Sequence, residues 1–244
     1  MNEETSGPKR PHVPVLLTQT LRAFSELSST HPLGWICDTT LGAAGHSHAL
    51  LEAHPAWKVL GTDQDPDALA LAQERLNAFG DRVRVGHGRM SALADSVRKE
   101  LIEPVIGVLC DLGVSSMQLD QPERGFSFDI DGPLDMRMDP TRERTAADIV
   151  NHWDESDLAD LIFYEGDETH ARRVAKGIVQ ARRRAPFRRT GALADLIARS
   201  IGKSGGRIHP ATKTRTRSNS RMKSSMPLAI GSGCVTDACP ISLG

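Results

Sequence analysis

The chain has 244 residues, and 39% of them are apolar without counting glycine. That is enough for a packed core over most of its length, and no apolar run approaches the roughly 18 residues of a membrane span. The net charge of -1 conceals a polarity: residues 1–170 carry 14 Lys and Arg against 29 Asp and Glu, whereas residues 171–244 carry 16 against 2. A basic second half suits a polyanionic partner.

Residues 1–11 hold four charges and no apolar core. They are expected to be loose, and they resemble neither a secretion signal nor a transit peptide. A helical pattern follows, with Leu17, Leu21, Phe24 and Leu27 on one side. Trp35 to Asp38 reads as a first strand. It runs into a turn containing Gly42 and Gly45, then a helix from about His46 to Ala53. Small residues in that turn let a ligand approach bare backbone, and the helix start offers free N–H groups. A second strand, Lys58 to Thr62, ends at Asp63, 18 residues past Gly45. A glycine turn followed about 20 residues later by an acid at a strand end is the nucleoside-cofactor arrangement, with the carboxylate on ribose hydroxyls. Capping the next helix is the other role open to Asp63. Asp65, followed by Pro66, fills it better.

That next helix carries Leu69, Ala72, Leu76 and Phe79 and stops at Gly80. Val83 to Val85 is a third strand, and a helix is expected from about Ser91 to Leu101. The unbroken apolar run Val105 to Cys110 reads as a fourth strand covered on both faces, ending at Asp111. Strands alternating with helices imply an α/β fold with a parallel, doubly wound, Rossmann-like sheet. Its carboxyl edge would gather Asp38, Gly45, Asp63 and Asp111. Asp38 is read as structural, bonding backbone at the strand end.

From Leu112 to about Thr145 the chain is too polar and too rich in Gly and Pro for a regular element. Structureless loops of that length are uncommon unless functional. Helices are then expected at Asp157 to Tyr164, at Glu168 to Arg184, and from a Thr190 cap to Ile201. The middle one has an apolar face (Ala171, Val174, Ala175, Ile178, Val179) and a basic one (Arg172, Arg173, Lys176, Arg182, Arg183, Arg184). The basic face is placed to contact phosphates, which gives affinity without sequence choice. Cys37 and Cys110 look like buried thiols. Cys234 and Cys239 lack a paired histidine, so neither a zinc site nor a disulfide framework is expected. Such cysteine usage fits a reducing, cytoplasmic setting.

One block carries a resemblance. Asp111-Leu112-Gly113-Val114-Ser115-Ser116-Met117-Gln118-Leu119-Asp120 is followed by Glu123-Arg124-Gly125-Phe126-Ser127-Phe128 and by Asp131-Gly132-Pro133-Leu134-Asp135-Met136-Arg137-Met138-Asp139. It resembles the RsmH (MraW) family, S-adenosylmethionine-dependent methyltransferases that modify N4 of a cytosine in small-subunit ribosomal RNA. The likeness extends from His12 to about Thr214, including His209-Pro210-Ala211-Thr212. It implies a cofactor loop at Ala44, Gly45 and His46, with Ala44 standing where the family has glycine. It implies a ribose acid at Asp63, an adenine neighbour at Met90, and further cofactor contacts at Asp111 and Gln118. The implied cofactor is S-adenosyl-L-methionine, the implied partner small-subunit rRNA or the 30S subunit. No metal is implied.

The catalytic residues stay open. An acceptor at the end of the fourth strand, either the Asp111 carboxylate or a backbone carbonyl in 111–114, would suit a cytosine amine. Arg124 and Arg137 either hold substrate phosphate or pair with Asp135 and Asp139. The expected domains are 1–114 for the cofactor, 115–212 as a helical RNA-binding insert, and 213–244 as a disordered or aberrant tail rich in Ser, Thr, Arg and Gly. That tail stands where the family's later strands would be. Two rival readings are a catalytically impaired RNA-binding remnant and a nucleotide-dependent oxidoreductase using the same glycine turn.

Overall fold

A computed structural model describes residues 14–127 and 129–202. The start of the chain, the segment His209 to Thr212, Cys234, Cys239 and the expected tail lie outside the described residues. The chain divides into two compact units, Met1–Leu112 and Gly113–Gly244.

In the first unit α1 (Leu17–Ser25) precedes β1 (Gly34–Asp38), α2 (Gly45–Ala53), β2 (Trp57–Asp63), α3 (Pro66–Leu76), β3 (Val83–His87), α4 (Leu93–Lys99) and β4 (Val105–Leu109). The strands form one parallel sheet in the order β3-β2-β1-β4. Parallel neighbours need crossovers, and the intervening helices supply them. Central β1 is buried at every residue. Its side chains alternate faces, as a strand must. Ile36 joins a core with Leu50, Leu51, Trp57, Val59 and Leu76, while Trp35 and Cys37 join Leu60 and Ile102.

Asp65 caps α3 by accepting the Asp67 N–H at 3.1 Å, with Pro66 next in line, as its sequence predicts. Gly80, at φ +52°, breaks the helical run after α3. The helix expected from Ser91 to Leu101 is shorter: a 3-10 turn, Met90–Ala92, precedes α4. Two other expectations fail at β4. The strand is not covered on both faces, Val105 being 41% and Val108 49% exposed; it lies at an end of the described sheet. An apolar run does not distinguish a central strand from an edge one. Cys110 is exposed too, so among the described residues only Cys37 is a buried thiol.

The second unit holds α5 (Ser116–Asp120), α6 (Ala146–His152), α7 (Glu155–Tyr164), α8 (Ala171–Arg182) and α9 (Thr190–Ser200). Its core gathers Ile149, Val150, Leu158, Ile162, Val174, Ala175 and Ile178 with Phe187, Leu193 and Ile197. The expected apolar face of α8 is therefore the buried one. Thr190 is the first helical residue of α9 rather than its cap, which is Arg189. Its hydroxyl instead accepts the Gly132 N–H at 3.1 Å.

The segment read as irregular contains α5, closed by a capping box between Ser115 and Gln118. A five-residue helix is too short to show a period. The remainder of the segment is tightly held. Phe126, Leu134 and Met138 are buried, and a Cβ on Gly125 or Gly132 would collide with the Pro133 or Pro122 carbonyl. Backbone passing that close to backbone explains the glycines. Arg137 pairs with Asp135 through two bonds, Nε–Oδ1 at 2.8 Å and Nη2–Oδ2 at 2.7 Å. Arg124 donates to the carbonyls of Arg137 and Met138. Asp139 accepts from Thr141 and pairs with Arg142. Of the two readings of these arginines, the intramolecular one holds for Arg137, while Arg124 bonds carbonyls rather than a carboxylate in these contacts.

Candidate cofactor site

Three adjacent strands end in acids that reach the same short segment, residues 40–47. From β1, the buried Asp38 accepts the Ser47 hydroxyl at 2.6 Å and the Thr40 N–H at 3.2 Å. From β2, Asp63 accepts the Gly42 N–H at 2.8 Å and the Asp65 N–H at 2.9 Å. Beyond β4, the Asp111 N–H donates to Thr40 Oγ1 at 2.6 Å, and its carboxylate lies 3.7 Å from His46 Nε2. The turn between β1 and α2 is thus fastened to all three strand tips.

Clustering carboxylates in a partly dry place has an electrostatic cost. Burial pushes the Asp38 carboxyl up to about 6; Ser47 and Thr40 oppose the rise, while the Asp63 and Asp111 charges add to it. Burial also raises Asp63, outweighing the N–H groups of Asp65 and Gly42 that favour its ionised form.

The turn itself is strained at one point. Ala44 precedes α2 in the left-handed region, φ 59° and ψ 29°, and gives the helix no side-chain cap. The first N–H groups of α2 are thereby left to backbone-independent partners. Left-handed alanine costs about 1–2 kcal/mol. Glycine would remove that cost, but it would lose a fully buried methyl group worth about 0.8 kcal/mol and add about 0.4–1 kcal/mol of unfolded-state entropy. The three nearly cancel, so alanine is tolerated. Ala44→Gly should shift stability in urea titration by no more than about 0.5 kcal/mol, whereas Ala44→Val, β-branched and left-handed, should cost more than about 2 kcal/mol. Gly45 is a different case. A Cβ there would strike the ring of Pro14, so its smallness admits Pro14 rather than open space.

Around this turn several buried polar atoms have no protein partner among the described residues: His46 Nδ1, Thr62 Oγ1 and Gln64 Oε1. His46 is 8% exposed and Thr62 2%. Buried polar atoms are almost always satisfied, so these three call for a partner from outside the chain, water or a polar ligand. Met90 sits 46% exposed on its 3-10 turn. No cluster of metal-ligating side chains occurs among the described residues.

Comparison over the whole chain shows which family it belongs to. The sequence profile of the MraW methylase family matches residues 9–216. The chain belongs to that family. Ribosomal RNA small subunit methyltransferase H of Methylobacterium sp. (strain 4-46) is 49% identical over 205 residues, covering 84% of this chain and 60% of that protein. The protein of the same name from Dehalococcoides mccartyi (strain BAV1) is 45% identical over 205 residues, 84% of this chain and 57% of its own length. That from Synechococcus elongatus (strain PCC 7942) is 50% identical over 183 residues, 74% and 59%. The chain therefore spans somewhat under two thirds of the length of these relatives.

Within the family frame, the residues assigned by resemblance fall in two places. Ala44, Gly45, His46, Asp63, Met90 and Asp111 belong to the first unit. The turn brings Ala44, Gly45 and His46 together, and Asp63 and Asp111 reach it from their strands. Gln118 belongs to the second unit, buried in α5. Its side-chain carbonyl accepts the Ser115 N–H at 3.0 Å to close the capping box. Thr40, Gly42 and Ser47 carry the turn's hydrogen bonds, yet sequence reasoning gave them no role. Gly42 was legible as the turn's other glycine; the two hydroxyls gave no sign.

Proposed function

We propose that this chain binds S-adenosyl-L-methionine at the carboxyl edge of its sheet and serves methyl transfer to N4 of a cytosine in small-subunit ribosomal RNA. Three strand-end acids converging on one turn, beside unsatisfied buried polar atoms, carry this reading. The relatives' shared name supports the substrate class. The residues fit the cofactor's chemistry. Asp63 accepts the Gly42, Asp65 and Gln64 N–H groups, three of the roughly four lone-pair sites of a carboxylate, which leaves room for a ribose hydroxyl. Met90 is exposed enough to lie against a purine face. Gly45, His46 and Ser47 open α2 with N–H groups suited to a carboxylate.

When bound, S-adenosylmethionine supplies a methyl group already activated on a sulfonium, so no nucleophilic side chain is required. What the protein must do is hold the acceptor amine in line with that methyl group. The amine's lone pair is delocalised into the cytosine ring. A hydrogen bond from its N–H to a carboxylate favours the pyramidal nitrogen that can attack. Asp111, half exposed beside His46, is our choice for that acceptor. A cytoplasmic location follows from a ribosomal substrate.

Labelled methyl transfer from S-adenosylmethionine to 30S subunits tests the reading. Incorporation at a cytosine amine is expected. Binding of S-adenosylhomocysteine without transfer would leave a cofactor-binding remnant, and binding of NAD instead would favour an oxidoreductase.

A further inference from the structure

We propose that the second unit carries a docking groove for single-stranded RNA, with one base held in a cleft between α7 and α8 and the following phosphates tracking along α8. The proposal rests on the ribosomal reading above and adds to it where the RNA is gripped and in what form. The cleft has a volume of about 520 Å3 and is lined by Phe163, Tyr164, Asp160, His170, Arg172 and Arg173, among others. Clefts of roughly 300–1,000 Å3 hold small organic groups. Phe163 and Tyr164 are 50% and 75% exposed, and their rings meet edge to face at 5.1 Å. Large aromatics left in water at the mouth of a cleft need a reason, and a stacking platform is one.

The charge pattern selects the occupant. From Thr169 to Ala194 the chain has no acidic residue. Along α8 and its end, Arg172, Arg173, Lys176, Arg183 and Arg184 are all exposed. At about 100° per residue they fall within one third of the helix circumference, a stripe about 18 Å long. Of these, only Arg173 is tied down, donating to the Ser200 carbonyl at 3.2 Å; the other four have no hydrogen bond or ion pair among the described residues. Arg182, which the sequence placed on the basic face, is turned to the Val150 carbonyl at 2.8 Å and lies outside the stripe.

Acids lie at the opposite end of the groove. Asp160 lines the cleft, and Glu168 holds His170 at 2.9 Å. Arg172 and Arg173 stand where the cleft meets the stripe and can take the phosphate beside the held base, while Asp160 can accept from a base amine. Bases in a duplex are stacked on one another and cannot enter such a cleft, so an unpaired strand is required.

Fluorescence anisotropy of the full chain with a labelled single-stranded RNA of about 12 nucleotides and mixed sequence tests this. Tyr164→Ala should raise Kd about tenfold or more. Tyr164→Phe should stay within about twofold, because stacking survives. Arg172→Ala and Lys176→Ala should each flatten the slope of log K against log salt by about 0.7. The helical circular-dichroism signal and the urea unfolding midpoint should not change in Tyr164→Ala, which shows that the variant folds. Wild-type RNA affinity in Tyr164→Ala overturns the proposal. So does equally tight binding of the duplex form, of heparin or of an acidic peptide. RNA binding with the expected variant effects, but without any S-adenosylhomocysteine binding, would sink the methyltransferase reading and leave this groove standing.

Discussion

Asp63→Ala is expected to weaken S-adenosylhomocysteine binding about 100-fold. Two kinds of interaction disappear together. Removing the carboxylate leaves the Gly42 and Asp65 N–H groups without their acceptor, and it removes the acceptor proposed for the ribose hydroxyls. Hydrogen bonds to a charged group contribute about 1.5–3 kcal/mol each, so loss of two at the ligand, partly offset by water, gives the stated factor. Asp63→Asn separates the contributions. It keeps one acceptor oxygen for the turn and loses charge and one lone-pair set at the sugar, and about a tenfold loss is expected. Isothermal titration of the full chain measures both. An Asp63→Ala protein that binds as tightly as the parent would remove the sugar from this strand tip.

Folding stability should fall as pH rises from about 4 to about 6.5, because of Asp38. Its carboxyl is 1% exposed, and its pKa is raised from 3.8 to about 6 by burial. A raised pKa means that the folded chain holds a proton which the unfolded chain has already released. The stabilisation is fully present below the unfolded value and disappears as pH climbs through the folded one. The swing is about 3 kcal/mol. Asp38→Asn cannot titrate at this position, so its stability should decline less than the parent's, by about 3 kcal/mol over this range. Urea unfolding between pH 4 and pH 7.5 reads the difference. Parallel curves for the two proteins would show that Asp38 does not hold its proton in the fold. Asp63 shifts in the same direction but is common to both proteins, and it cancels. Asp131, Asp135 and Asp148 are lowered instead, by Arg189, Arg137 and Thr145 respectively. For Asp135 those bonds to Arg137 overcome an opposing burial effect that is itself the largest single influence. Their contributions are lost only in acid, as pH drops below the usual carboxylate range.

Much of the sheet could be read in advance because its signals are local. Asp65-Pro66 marks the start of α3. Apolar runs mark the strands, and the acids that end β1 and β2 mark the edge proposed to take the cofactor. The errors came from questions that composition cannot answer. Val105 to Leu109 is as apolar as a strand covered on both faces, yet coverage is decided by what packs on it, and Val105 and Val108 stay exposed. Cys110 stands one residue beyond the last pair of a strand that itself holds no buried residue. Thr190 looks like a helix cap, but the Gly132 N–H claims its hydroxyl from 58 residues away. In the turn, the acids were legible by spacing. Their hydrogen bonds to Ser47, Thr40 and Gly42 were not, because each joins atoms that only the folded sheet brings together.

A loop moored at three points is stiff before any ligand arrives. Its ordering entropy is spent during folding, so a guest meets a ready-made seat and need not rearrange it. Association should then resemble a key entering a lock, with residence time set by contacts rather than by the opening of a gate.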